Sequence, residues 1–143
     1  MLTRVAEAVW EGNLKDGNGK MKVGSGAFEG PFTFASRFES GKGTNPEELL
    51  GAAHAGCFSM ALSLGLVKAG FQPQRIHTKA TVHLDTEKLR IAAIDLDTDA
   101  QVPGINEGQF LEQAELAKNN CIISQALKGT EIRLQAKLAQ TAR

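Results

Sequence analysis

The clearest pattern along the chain is alternation. In QRIHTKATVHLD (74–85), Ile76, Thr78, Ala80, Val82 and Leu84 alternate with polar residues, and in AIDLDTDAQV (93–102) Ile94, Leu96, Thr98, Ala100 and Val102 do the same. Period-two spacing puts each set on one face of a strand, and the polar TEK between them predicts a hairpin. EIRLQAKL (131–138) reads as a last strand. RVAEAVWE (4–11) alternates more weakly, and the turn-rich DGNG at 16–19 leads to a short strand near KMKVGSG (20–26). Residues 31–39, PFTFASRFE, read as a strand with Phe32, Phe34 and Phe38 on one face and Thr33, Ala35, Arg37 and Glu39 on the other.

Helical spacing occupies the remainder. Residues 45–69 form the best helix: Asn45 is an N-cap, Pro46 takes the first helical position, and Glu47 and Glu48 sit beside the positive end of the dipole. Glu48 is placed to complete a capping box with Asn45, and Gly70 ends the helix. From Leu49 to Val67 there is no Asp, Glu, Lys or Arg, long enough to raise the question of a membrane span. Three glycines, two serines and His54 in that stretch favour a central helix buried in a folded core. A second, amphipathic helix is expected over 106–118, with Phe110, Leu111, Ala114 and Ala117 on one side and Asn119 and Asn120 as its C-cap. Cys121 opens a short helical piece, CIISQALKG, closed by Gly129. Strands in runs separated by two helices predict a single α+β domain over residues 1–143, with antiparallel sheets around a long buried central helix.

Composition narrows the function classes. Sixteen Lys+Arg balance sixteen Asp+Glu without a basic block, which gives no footprint for nucleic acid or an anionic membrane. The N-terminus lacks the apolar core of a signal peptide, so a cytoplasmic location is expected. Two cysteines, Cys57 and Cys121, do not make a disulfide framework in a reducing compartment. His54 and Cys57 at i, i+3 could supply two metal ligands, but a closed zinc site needs four, and His77 and His83 lie on a separate segment. No metal or bound organic cofactor is expected.

Taken alone, Cys57 in an apolar helix reads as an inert buried thiol. Reactivity requires a nearby cation to hold the thiolate and a partner for the oxidised product. Arg37 is a candidate cation, or a solvated residue on an open sheet face. Glu47 is either a helix-dipole carboxylate or a partner for that cation.

The stretch RFESGKGTNPEELLGAAHAGCFSMAL (37–62), followed by Cys121 in CIISQAL, resembles the osmotically inducible protein C and organic hydroperoxide resistance (OsmC/Ohr) family over nearly the whole chain. GAAHA is similar to the OsmC branch, and Ile122 stands where the family often has Pro. The resemblance implies a peroxiredoxin-like thiol peroxidase on an unrelated fold, an intertwined homodimer active in osmotic and oxidative stress. By position, Cys57 would be the peroxidatic cysteine and Cys121 the resolving one, with Arg37 holding the thiolate and Glu47 orienting Arg37. The implied partners are an organic hydroperoxide substrate and an external dithiol of the lipoyl type, with no nucleic acid and no membrane.

Ten residues separate Glu47 from Cys57, about 15 Å along one helix. One helix therefore cannot bring both into one site. An antiparallel copy crossing near residue 52, at Gly51, Ala52, Ala53, Ala55 and Gly56, would pair 47 with 57 of the partner. Two alternatives stay open: a non-catalytic dimer that holds a small ligand in an apolar pocket, and a cysteine hydrolase with His54 as base. Phe58, Met60 and the Phe32/Phe34/Phe38 face are expected in the core or lining such a pocket.

Overall fold

A computed structural model describes residues 1–139. The chain divides into two compact units, Met1–Leu49 and the chain from Leu50 onward.

In the first unit, β1 (Ala6–Glu11), β2 (Asn18–Val23) and β3 (Glu29–Phe32) form an antiparallel sheet in sequence order. The strand expected across 31–39 stops at Phe32. Thr33 Oγ1 accepts the Ser36 N–H at 3.1 Å while Ser36 Oγ accepts the Thr33 N–H at 2.8 Å. This reciprocal box satisfies donors that a strand would have paired elsewhere, and it starts α1 (Phe34–Phe38). Phe34 and Phe38 are thus an i, i+4 helical pair with ring centroids 5.0 Å apart. Arg37 lies in the last turn of a helix, not on a sheet face. Ser36 Oγ donates to the Thr44 carbonyl at 2.8 Å and Asn45 Nδ2 donates to the Ser36 carbonyl at 3.0 Å, tying α1 to the start of the next helix.

That helix, α2 (Pro46–Lys68), begins in the first unit and runs into the second. Asn45 Oδ1 caps the Glu48 N–H at 2.7 Å, as expected, but the Glu48 carboxylate accepts the Thr44 hydroxyl rather than closing a box on Asn45. At the other end Gly70, with φ +96°, lets Phe71 N–H reach the Leu66 carbonyl and Gly70 N–H reach that of Val67. This double closure is the Schellman geometry.

In the second unit, β4 (Arg75–Asp85) pairs antiparallel with β5 (Arg90–Gln101), with a bulge at His83/Leu84. β6 (Glu131–Ala139) pairs with β5 in parallel, so the sheets are not antiparallel throughout as expected. Between β5 and β6 the chain crosses over through α3 (Glu107–Asn120) and α4 (Ile122–Ala126), the kind of long connection that parallel pairing requires. The core joins Phe58, Leu62 and Leu66 of α2 to Ile94, Leu96 and Ala100 of β5 and to Phe110, Ala114 and Ala117 of α3. A hydroxyl ladder stitches the helix to the sheet. Thr98 donates to the His77 carbonyl, so Thr78 donates to Thr98 at 2.9 Å and Ser59 to Thr78 at 2.8 Å.

Three burial expectations are corrected. α2 is not buried all round: Met60 is 77%, Leu64 56% and Val67 44% exposed, on a flank that also exposes Ala52, Ala53 and Gly56. Apolar composition hid the division because both flanks are apolar. Gly51 leaves the small-residue face, since a Cβ there would stand 3.2 Å from Val82 Cγ2. Leu111 is exposed while its neighbour Phe110 fills the core, and α3 runs through Asn119 and Asn120 to a cap at Cys121.

Phe58 has no exposed surface and sits at the centre of this core. Phe58→Ala is expected to lower stability by about 3–5 kcal/mol, read as a shifted urea midpoint with an unchanged slope.

Candidate active site

α2 turns Phe58 into the core, and this brings the preceding residue, Cys57, to a half-buried position facing α4. Cys121 is a hinge between two helices. Its N–H closes α3 on the Ala117 carbonyl at 2.9 Å, and its buried Sγ caps α4 by accepting the Ser124 N–H at 3.4 Å. The adjacent Ile123 N–H points to the other sulfur, donating to Cys57 Sγ at 3.5 Å. Consecutive amides of one helical turn therefore serve both thiols. Both thiols are free.

Burial pushes the Cys57 thiol up, and the hydrogen bond to Cys121 adds to this against the opposing N–H groups of Ile123 and Ile122. For Cys121 burial also acts upward, but hydrogen bonds from Cys57 and from the Ser124 hydroxyl and amide outweigh it and hold the thiol below its usual value. Among the described residues, no cation is a cause of the Cys57 shift. Ile122 occupies the first position of α4 and keeps an N–H that a proline there would lack.

Arg37 and Glu47 meet within the first unit. Arg37 Nε and Nη2 donate to Glu47 Oε1 at 3.0 and 2.7 Å, a charge-assisted fork. The Arg37 guanidinium also lies 5.3 Å from the centre of the Phe38 ring, and its side chain stays 40% exposed while that of Glu47 is 11% exposed. The four expected site residues are thus found as two pairs, Cys57 with Cys121 and Arg37 with Glu47, each within its own unit.

His54 is fully buried one turn before Cys57, with Nε2 2.8 Å from Ser124 Oγ and Nδ1 without a partner among the described residues. Neither nitrogen engages the Cys57 thiol. Ser124 was not singled out in the sequence: it is 70 residues from His54, and only the packing of α4 on α2 reveals the link. His77 and His83 pair with Asp99 and Asp95 on the exposed sheet face, where Arg133 and His83 hold the Asp95 carboxyl down to about 2.

A family model described as OsmC-like protein matches residues 39–136. The chain is 48% identical over 140 residues to Peroxiredoxin OsmC of Escherichia coli strain K12, covering 96% of this chain and 97% of that one. It belongs to the OsmC-like family. Among solved structures, an OsmC-like protein from Mycoplasma pneumoniae superposes with a TM-score of 0.76 at 16% identity, covering 96% of this chain and 98% of that one. The organic hydroperoxide resistance protein OhrB of Bacillus subtilis gives 0.64 at 19% identity, covering 94% and 98%. Both carry the fold: two small sheets and a long central helix. The span matched to the OsmC-like family takes in Glu47, Cys57 and Cys121, and starts two residues after Arg37.

Proposed function

We propose that this OsmC-like chain is a cytoplasmic thiol peroxidase that reduces organic hydroperoxides, and hydrogen peroxide more weakly, through Cys57. The thiolate of Cys57 attacks the terminal peroxide oxygen, the O–O bond breaks, and the alkoxide takes a proton to leave as alcohol. Cys57 becomes a sulfenic acid. Cys121 then condenses with it to form the Cys57–Cys121 disulfide and release water. An external dithiol of the lipoyl type reopens the disulfide by exchange. The observation that carries this reading is the pairing of the two thiols under the first turn of α4, with one backbone N–H on each sulfur.

The chain acts as one OsmC-like domain in a homodimer. α2 exposes Ala52, Ala53, Gly56, Met60 and Leu64 on one flank, a surface that a second antiparallel copy would cover. Such a copy brings its Arg37–Glu47 pair toward Cys57, supplying a cation that no described residue of the thiolate's own unit supplies. The hydrolase reading loses its base, because His54 engages Ser124 and not Cys57.

The test is a peroxide titration of reduced protein, followed by intact mass and non-reducing peptide mapping. Wild type is expected to lose two hydrogens with a Cys57–Cys121 link, faster with cumene hydroperoxide than with hydrogen peroxide. Cys121→Ser is expected to stop at sulfenic acid and to pass to sulfinic acid in excess peroxide. A Cys57 that stays reduced in wild type would overturn the peroxidase reading and leave the ligand-binding dimer.

A further inference from the structure

One polar group in the core is not used by the two-cysteine cycle. His54 has no exposed surface, its Nε2 lies 2.8 Å from Ser124 Oγ, and its Nδ1 has no partner among the described residues. Ser124 is also buried, and it belongs to the turn that Cys121 caps. Burial lowers the basicity of the imidazole, so the ring is neutral and carries one proton.

The position of that proton follows from what surrounds it. A proton on Nδ1 would be a buried N–H with no acceptor, which folded proteins rarely tolerate. A bare lone pair on Nδ1 is the milder defect. The proton therefore sits on Nε2 and is donated to Ser124 Oγ. A hydroxyl that accepts from His54 has its own hydrogen free to donate, and Cys121 Sγ already receives the amide of the same residue at 3.4 Å. Ser124 thus meets the imidazole of α2 with its hydroxyl and the sulfur at the α3–α4 junction with its amide, and its hydroxyl helps to hold the Cys121 thiol down.

We propose that His54 and Ser124 form a donor relay, His54 Nε2–H to Ser124 Oγ–H to Cys121 Sγ, that positions and stabilises Cys121 as the nucleophile of the second chemical step. This rests on the peroxidase reading above. In that step the Cys121 thiolate attacks the sulfur of the Cys57 sulfenic acid. An S–S bond forms, the S–O bond breaks, and the departing hydroxide takes up a proton to leave as water. The sulfenic sulfur is reduced as the Cys121 sulfur is oxidised, so no further oxidant enters. Neither His54 nor Ser124 hydrogen-bonds the Cys57 thiol, so they are positioning residues whose effect is confined to resolution.

The test separates the two steps. Reduced wild type, Ser124→Ala, Ser124→Thr, His54→Leu and His54→Gln are each mixed with one equivalent of cumene hydroperoxide and quenched at short times. Dimedone traps the sulfenic acid, and non-reducing mass analysis counts the disulfide. Loss of a hydrogen bond to a charged acceptor is expected to slow disulfide formation about tenfold in Ser124→Ala and His54→Leu, while the sulfenic step changes by less than about twofold. Sulfinic acid should accumulate in both when peroxide is in excess. Ser124→Thr keeps the hydroxyl and His54→Gln keeps a donor near Nε2, so both should restore resolution. Should His54→Leu fail to fold, the Ser124→Ala and Ser124→Thr pair decides. Resolution at the wild-type rate in Ser124→Ala, or equal slowing of both steps with no rescue by threonine, overturns the relay. A wild type that makes sulfenic acid but no Cys57–Cys121 link overturns the role of Cys121 itself, whatever the variants do.

Discussion

Cys57→Ser removes peroxide turnover, a fall of about 10³-fold or more that leaves only the background reaction. The hydroxyl is nearly the size of the thiol, and the site is half-buried, so the fold accepts the change. Its chemistry does not transfer. A serine hydroxyl ionises far above neutral pH, and its oxygen cannot hold the sulfenic oxidation state on which the second step depends. The measurement is initial-rate consumption of cumene hydroperoxide with dihydrolipoamide as reductant, alongside urea unfolding to establish that stability is retained. Turnover in Cys57→Ser within tenfold of wild type would sink the assignment.

Arg37→Ala is expected to lower turnover by about 10²-fold or more, the usual scale for removing a fixed charge from a developing anion. Burial pushes the Cys57 thiol up, and among the described residues only weak amide donors to sulfur oppose it, so the thiolate needs a cation. Arg37→Lys should rescue poorly, because an ammonium cannot keep the two-pronged bond to Glu47 while facing a thiolate. The same variant tests how the site is assembled. Cys57→Ser and Arg37→Ala are each inactive, but when unfolded together and refolded they form mixed dimers. If the site combines Cys57 of one protomer with Arg37 of its partner, one site in each mixed dimer is intact. Activity should then return to about a quarter of wild type. A site contained within one protomer gives no recovery.

Much of the fold is legible in the sequence because its signals are local and periodic. β4, β5 and β6 follow their alternation, and α2 follows its cap, its first-turn proline and the terminal Gly70. The errors occur where one pattern admits two geometries. Phe32, Phe34 and Phe38 have even spacing that fits a strand, yet positions 34 and 38 also stack on a helix, and the Thr33–Ser36 box settles the matter in favour of α1. Parallel pairing of β6 leaves no mark on its own residues; only the direction of the crossover decides it. Met60 and Leu111 look like core residues because apolar flanks that face outward carry the same letters as those that face inward. The pairing of Cys57 with Cys121 follows in the sequence only from a family resemblance, and the fold sets both sulfurs under the first turn of α4. His54 and Ser124 lacked such a guide, since neither a lone histidine nor a serine in CIISQAL has a pattern of its own.

The cap at the α3–α4 junction has a consequence for redox poise. In the reduced protein Cys121 Sγ holds the first turn of α4 through the Ser124 amide. Once that sulfur is bonded to Cys57 it is a poorer acceptor, so oxidation weakens a helix cap and reduction restores it. A cap is worth about 1 kcal/mol at most for a sulfur acceptor. For a two-electron couple this raises the reduction potential of the disulfide by up to about 20 mV. Local order in α4 thereby favours the dithiol, and the fold itself helps each disulfide give way to the next external reductant.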